Sequence, residues 1–147
     1  MEIRYEELQI CDLAEFAASY VDTFNSPPWN DRWTIDSAAK RLQQMINTED
    51  SYGLCAYQDD LLCGVVLGCM EEFYTGNMFD IKEFWVRNGM RGSGIGTLIY
   101  KELERRVKEK GAHQIVLLTI RGDQTEHFYH NQGMVTVDDF IFMSKQI

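Results

Sequence analysis

The chain is short of several things, and each shortage excludes a class of function. No apolar run approaches the ~20 residues needed to cross a bilayer, so no membrane partner is expected. The opening segment, Met1-Glu2-Ile3-Arg4-Tyr5-Glu6, has no apolar region of the kind a secretory signal requires, which points to a cytoplasmic protein. Basic residues are scarce: 14 Lys and Arg stand against 23 Asp and Glu, a formal charge of −9. A polyanion would be repelled, so no nucleic-acid partner is expected. A cationic partner such as an amine would be attracted, although the same charge also serves solubility. Cys11, Cys55, Cys63 and Cys69 form no CxxC pair and no zinc spacing, and three of them fall in apolar, strand-like runs that read as reduced core. His113, His127 and His130 lack the accompanying carboxylates or cysteines of a metal site, so no metal is expected. There is no repeat, low-complexity tract or linker. What remains is 147 residues, 45% of them hydrophobic, which read as one domain over residues 1–147.

Apolar periodicity predicts the elements. Residues 2–7 alternate as a first strand. Asp12 is a candidate cap for a helix to residue 24, and Thr34 for a helix to residue 46. Between them Pro27-Pro28 enforces a loop, because each proline removes a donor and restricts its neighbour. Residues 51–57, 61–73 and 78–86 read as three strands joined by tight turns. A helical stripe of Leu98, Ile99, Leu103 and Val107 predicts a helix over 94–110, ended by Gly111. Residues 113–120 read as a buried strand. Asp123 with Glu126 resembles a cap opening a short helix to residue 131, and the tail reads as one or two further strands. A helix joins the fourth strand to the fifth, so that pair can be parallel, while the preceding hairpins are antiparallel. The expected fold is α/β (α+β): a mixed, mostly antiparallel sheet of six to seven strands flanked by about four helices.

The run Arg91-Gly92-Ser93-Gly94-Ile95-Gly96 carries the most chemical information. It lies between a predicted strand and a predicted helix. Glycines let main chain approach a ligand closely, and N–H groups converge at a helix start, where the dipole is positive; that combination holds phosphate. The spacing is G-x-G-x-G, not the G-x-G-x-x-G of dinucleotide folds. No Lys-Ser or Lys-Thr follows the last glycine, as a nucleotide P-loop would need.

With Arg91 first, Gly94 fourth and Gly96 sixth, the run resembles the acetyl-CoA signature [QR]-x-x-G-x-[GA] of the GNAT N-acetyltransferase superfamily. Phe128-Tyr129-His130-Asn131-Gln132-Gly133-Met134 resembles that family's F-Y-x-x-x-G-[FM] stretch on the last helix. The resemblance covers the chain in element order. It departs at Gly122 and Thr125, where many relatives carry Asn and Ala, and in the segment Arg87-Asn88-Gly89-Met90, which lacks the usual proline.

The resemblance implies the GNAT fold and transfer of acetyl from acetyl-CoA to a primary amine by direct attack in a ternary complex. It assigns the cofactor to Phe84, Val86, Arg91, Gly92, Ser93, Gly94, Ile95, Gly96, Thr97 and Asn131. Main-chain N–H groups of the loop would hold the diphosphate, and the fourth strand would pair with the pantetheine amides. An N–H near Val86 would polarise the thioester carbonyl. Tyr129 occupies the family's general-acid position, with a packed aromatic as the plainer reading. Glu83 is the first candidate base, since a carboxylate inside so apolar a strand needs a reason; the alternative is an ion pair. Strict alternation would place Ile81, Glu83 and Trp85 on one face and Lys82, Phe84 and Val86 on the other.

For the acceptor, residues 24–34 resemble a loop in a branch related to aminoglycoside N-acetyltransferases. Trp29 and Trp33 would offer flat faces to a cation or sugar ring, unless they only pack the loop. Glu71, Glu72 and Asp80 would form an acidic rim around a small cationic amine. Two other classes share these features: a non-catalytic acyl-CoA-binding regulatory module, and a protein or peptide N-acetyltransferase. The protein is expected to be a monomer or a homodimer, with Phe140-Ile141-Phe142-Met143 able to pair between chains.

Overall fold

A computed structural model describes residues 2–147; Met1, part of the N-terminal reading above, lies outside the described residues. A short strand β1 (Arg4–Glu7) leads through a single 3-10 turn to helices α1 (Leu13–Phe24) and α2 (Ile35–Ile46). Three strands follow, β2 (Ser51–Gln58), β3 (Leu61–Phe73) and β4 (Gly76–Val86). Helix α3 (Ile95–Glu109), strand β5 (Ala112–Leu117) and helix α4 (Asp123–Asn131) complete the order. The strands form one sheet in chain order, β1-β2-β3-β4-β5. The first three pairings are antiparallel and β4–β5 is parallel, because α3 carries the chain back to the same end.

Helices cover both faces. Phe16, Ala17, Tyr20 and Phe24 of α1 pack with Ala38 and Leu42 of α2 against Val65, Leu67 and Trp85. Ile95, Ile99, Leu103 and Val107 of α3 pack on the opposite face against Val66, Phe79 and Ile81. Burial on both sides explains why β3 is a nearly continuous apolar run rather than an alternating one. Cys55, Cys63 and Cys69 are buried and unpaired, as their sequence context suggests, whereas Cys11 is exposed.

Thr34 caps α2 as expected. Its Oγ1 accepts from Ser37 N–H at 3.0 Å and Ser37 Oγ accepts from Thr34 N–H at 2.9 Å, a reciprocal box. Asp12 makes no side-chain cap at α1. At α4 the capping position belongs to Gly122, whose N–H donates to Glu126 Oε2 at 3.0 Å.

Two expectations are corrected. The sheet has five strands, not six to seven. Residues 134–147 have strand-like composition, but among the described residues they join no ladder, and Phe140 to Met143 are 74–79% exposed. Strand propensity alone does not supply the partner edge that a strand needs. The second correction concerns alternation along β4. The β3–β4 register slips at Leu67/Gly68: Leu67 opposes Glu83 while Gly68 opposes Ile81, leaving Lys82 as the extra residue of a bulge. The bulge reverses the facing of everything beyond it. Ile81 therefore belongs to the α3 face with Phe84, and Trp85 to the α1/α2 face. Glu83 is turned towards Tyr20 of α1 and Arg41 of α2.

Candidate functional site

Arg91 to Gly94 form the turn into α3. Gly92 and Gly94 have φ of +80° and +88°, the left-handed region that side chains resist, and a Cβ on either would meet nothing within 4 Å. The loop thus bends around open space. Its main chain carries unused donors. Among the described residues, no backbone or side-chain acceptor meets the N–H of any residue from 91 to 97; the first helical bond runs from Leu98 N to Gly94 O at 3.1 Å. Consecutive unpaired N–H groups at a helix start make an anion cradle. Ser93 Oγ donates to Met90 O within the turn. Ile95 is 1% exposed, so its side chain anchors the helix in the core and only its N–H is available. Gly96 serves a different purpose: a Cβ there would sit 3.1 Å from the Phe128 ring and 3.6 Å from Val86 Cγ2, so its absence lets α3 close on both. Thr97 Oγ1 accepts from Gln132 Nε2 at 3.2 Å, tying the end of α4 to the first turn of α3. Asn131, by contrast, is turned to His127 Nε2 at 3.0 Å, and the residue that reaches the loop is its neighbour Gln132.

Beside this cradle the sheet opens. β4 pairs with β5 from Asn77 to Ile81 and no further, while β4 itself continues to Val86. Among the described residues, Lys82 to Val86 therefore have no ladder partner on the β5 side, and their free main-chain edge borders a cleft. Phe84 stands there with its ring 5.7 Å from Phe128 and 6.5 Å from Tyr129.

The cleft is about 350 Å³. Tyr129 and Glu83 both line it, as do Trp29, Trp33, Asp31 and Arg41. Tyr129 comes from α4 and packs edge-on against Phe128 at 5.1 Å. Burial pushes its phenol up to about 12, with the Tyr100 phenol adding to the effect, so it stays protonated at any physiological pH.

Glu83 is 8% exposed. Its Oε1 accepts from Arg41 Nε at 2.6 Å and from Tyr20 Oη at 3.1 Å. Both bonds fall on one oxygen, and among the described residues Oε2 takes no partner. Burial raises the Glu83 carboxyl above the usual carboxylate range, outweighing Arg41 and Tyr20, which act in the opposite direction. The Tyr20 phenol is raised strongly by burial and by the Glu83 charge. The result is an ionisable group with one oxygen fixed and the other free at a cleft wall.

The loop between α1 and α2 is braced from within. Asn25 Nδ2 donates to Trp33 O at 2.9 Å, and Asn25 Oδ1 accepts from Trp33 N at 2.8 Å. Trp33 packs edge-on to Tyr20 at 5.2 Å and Trp29 to Phe24 at 5.0 Å. Packing and cleft-lining are thus served by the same two rings. Arg91 reaches across to this loop: its guanidinium lies 5.2 Å over the Trp29 ring and donates to Asn88 Oδ1 at 2.7 Å, while Asn88 Nδ2 donates to Ser26 Oγ at 3.1 Å. Glu71 and Glu72 lie elsewhere, opposite Met78 and Asn77 at the far end of the β3–β4 hairpin and outside the cleft lining. Asp80 is held 2.7 Å from Lys82 Nζ.

Sequence reasoning did not single out Tyr20, Asp31 or Arg41. Arg41 had a visible signal: it falls between Ala38 and Leu42, the buried positions of α2, at the border of its apolar stripe. Among the described residues, no three His, Cys, Asp or Glu side chains converge as metal ligands, and no helix is long and apolar enough to cross a membrane.

Known proteins share this architecture. An aminoglycoside acetyltransferase from an uncultured soil metagenomic sample, solved with sisomicin, superposes with a TM-score of 0.80 at 17% identity, covering 99% of this chain and 96% of that one. A ribosomal-protein-alanine N-acetyltransferase from Brucella melitensis biovar Abortus 2308 superposes at 0.76 with 16% identity, covering 99% and 100%. An aminoglycoside N-acetyltransferase in complex with CoA superposes at 0.76 with 12% identity, covering 99% and 96%. At such identities the likeness is one of fold. No curated protein matches the chain in sequence. The acetyltransferase (GNAT) family matches residues 13–134, most of the chain's length, and the protein belongs to that family.

Proposed function

We propose that the protein transfers the acetyl group of acetyl-CoA to a primary amine of a small cationic acceptor, by direct attack within a ternary complex. One observation carries the reading: the run of unpaired N–H groups at residues 91–97 sits beside the unpaired β4 edge at Lys82 to Val86. A diphosphate fits the first and an amide-bearing arm the second. The thioester would then lie where the cleft meets Phe84 and Tyr129, with a β4 N–H near Val86 placed to polarise its carbonyl.

The charges of the cleft favour a cation. Arg41 is spent on Glu83 and Lys82 on Asp80. Glu83 Oε2 and Asp31, whose Oδ2 accepts from Trp33 Nε1 at 3.0 Å, remain for the acceptor, with the faces of Trp29 and Trp33 beside them. Glu71 and Glu72 lie too far along the hairpin to join them. Glu83 is the base in this scheme: its free oxygen takes the proton that an ammonium must lose before it can attack.

Tyr129 acts on the leaving sulfur. A phenol at about 12 gives its proton to a thiolate of ordinary basicity, near ~8.5, only uphill. Hydrogen-bond donation to the sulfur is therefore its contribution, and the thiolate takes its proton from solvent after it leaves. Tyr129→Phe is expected to lower kcat by roughly 10²-fold and to leave acetyl-CoA affinity within about twofold, since the ring packing survives. Stopped-flow turnover together with calorimetric affinity checks both halves, and unchanged kcat would remove the acid role.

The reaction itself is tested by thiol release from acetyl-CoA in the presence of aminoglycosides, polyamines, amino acids and short peptides. Saturable release with one class of amine, and none without it, is the expected outcome. Tight acetyl-CoA binding with no release across all four classes would favour the regulatory module.

A further inference from the structure

Tyr20 is the buried polar side chain that the proposed chemistry leaves without a role. It lies on α1 one turn from Phe16 and one turn from Phe24, and it is 2% exposed. Its ring is held on three sides. It lies 4.6 Å from Phe24, 5.2 Å from Trp33 of the α1–α2 loop and 5.1 Å from Trp85 of β4, edge-on to both indoles. A ring packed in this way has no second rotamer to visit, so its hydroxyl has a fixed place. That hydroxyl donates to Glu83 Oε1 at 3.1 Å. Burial and the Glu83 charge raise the Tyr20 phenol strongly, so it remains a donor at neutral pH.

Arg41 shows why the placement matters. A guanidinium beside a carboxylate commonly engages both oxygens through its planar fork. Arg41 does not. Its Nε donates to Glu83 Oε1 at 2.6 Å, and among the described residues no terminal nitrogen bonds Oε2. Two donors therefore converge on one oxygen. Turning the carboxylate to meet the fork with both oxygens would carry Oε1 away from the Tyr20 hydroxyl. The two partners differ in stiffness: Tyr20 is locked among aromatic rings, whereas the Arg41 side chain is 38% exposed and can adjust. The stiff partner decides how the carboxylate stands. Nothing else does so. Leu67, opposite Glu83 on β3, is apolar, and Asp31 of the loop lining the same cleft has a charge of like sign.

We propose that Tyr20 is a positioning residue for the reaction: it holds Glu83 by Oε1 so that Arg41 cannot take both oxygens, which keeps Oε2 open to the acceptor's ammonium. The inference rests on the reading of Glu83 as the base. Arg41 supplies charge and Tyr20 supplies direction. The same ring packs on Trp33, whose Nε1 donates to Asp31 Oδ2 at 3.0 Å, so the base is braced against the loop that carries the other groups facing the acceptor.

The crystal structure of Tyr20→Phe, solved without acetyl-CoA or acceptor, tests the hold itself. The ring and its packing remain, so the variant is expected to fold and to melt within several degrees of the wild type. Glu83 is expected to be turned, with both oxygens on Arg41. A carboxylate standing as in the wild type, with Oε2 free, overturns the proposal. Turnover tests the consequence. In Tyr20→Phe, kcat is expected to fall by roughly 10–10²-fold with KM within about twofold. Adding Arg41→Lys removes the fork, since an ammonium is a point charge, and the double variant is expected to turn over about fivefold faster than Tyr20→Phe. A merely structural Tyr20 gives the opposite result, because the second substitution would only add damage. A double variant no faster than Tyr20→Phe therefore overturns the proposal. A turned carboxylate with undiminished kcat instead removes Glu83 as the base and leaves the hold of Tyr20 on it standing.

Discussion

Gly94→Trp is expected to weaken acetyl-CoA binding by more than about 100-fold while leaving a folded protein. The two halves of that result have separate causes. Gly94 has φ of +88° at the N-cap of α3, and a Cβ there would meet nothing within 4 Å. An L-residue in that conformation costs about 1–2 kcal/mol, which lowers the melting temperature by several degrees without unfolding the domain. The indole then occupies the open space beside the unpaired N–H groups of residues 91–97. A diphosphate shut out of that space loses its charge-assisted bonds together, and each is stronger than an ordinary hydrogen bond. Gly94→Ala is the graded control. It carries the same backbone strain but adds only a methyl group, so it loses comparable stability and far less affinity. Calorimetric titration with acetyl-CoA, paired with thermal melts of both variants, separates strain from blockage. If Gly94→Trp melts near Gly94→Ala and still binds acetyl-CoA like the wild type, the cofactor does not lie against this loop.

The prominence of the glycine loop in the sequence has a physical reason. The function proposed for it uses main chain, and main chain is exposed only where side chains are absent, so the glycines themselves are the signal. The N-cap at Thr34 was legible for a similar reason, because its bond to Ser37 N–H lies within four residues; the reciprocal bond to Ser37 Oγ was not. The alternation of β4 was not. A bulge at Lys82 is decided by how β3 and β4 register against two different helical layers, and nothing within Phe79 to Val86 announces it. That single extra residue turns Glu83 towards Tyr20 and Arg41, which lie 63 and 42 positions away in sequence. The tail failed differently. Its composition promises strands, but a strand exists only with a partner, and among the described residues the tail joins no ladder. The acidic rim is divided: Glu71 and Glu72 lie at the far end of the β3–β4 hairpin, outside the cleft lining, and Asp80 is paired with Lys82.

Glu83→Gln is expected to separate stability from activity. The amide keeps the shape of the side chain and can still accept from Tyr20 and Arg41, so the packing of Trp85, Tyr20 and α2 is preserved. Burial has raised the Glu83 carboxyl above its ordinary range. A carboxylate whose folded pKa exceeds its unfolded one destabilises the fold above the folded pKa, and that penalty fades as pH falls through it. At neutral pH the variant is therefore expected to match or exceed the wild type in stability, by up to about 1 kcal/mol, and the difference should shrink on acidification. Activity moves the other way. With the free oxygen replaced by a group that cannot take a proton, kcat/KM is expected to fall by roughly 10²–10⁴-fold. The acid limb of the wild-type pH profile, set by the raised Glu83 pKa, should vanish with it. Arg41→Met supplies the converse. It leaves the buried carboxylate with Tyr20 alone, pushes its pKa further up and moves the acid limb to higher pH. The cost to stability is roughly 2 kcal/mol, below the ~3–5 of a fully buried pair, because the Arg41 side chain is 38% exposed and water screens it. Melting curves and pH–rate profiles of the three proteins decide the matter. Full activity in Glu83→Gln would pass the base role to water and leave Glu83 as the counter-ion of Arg41.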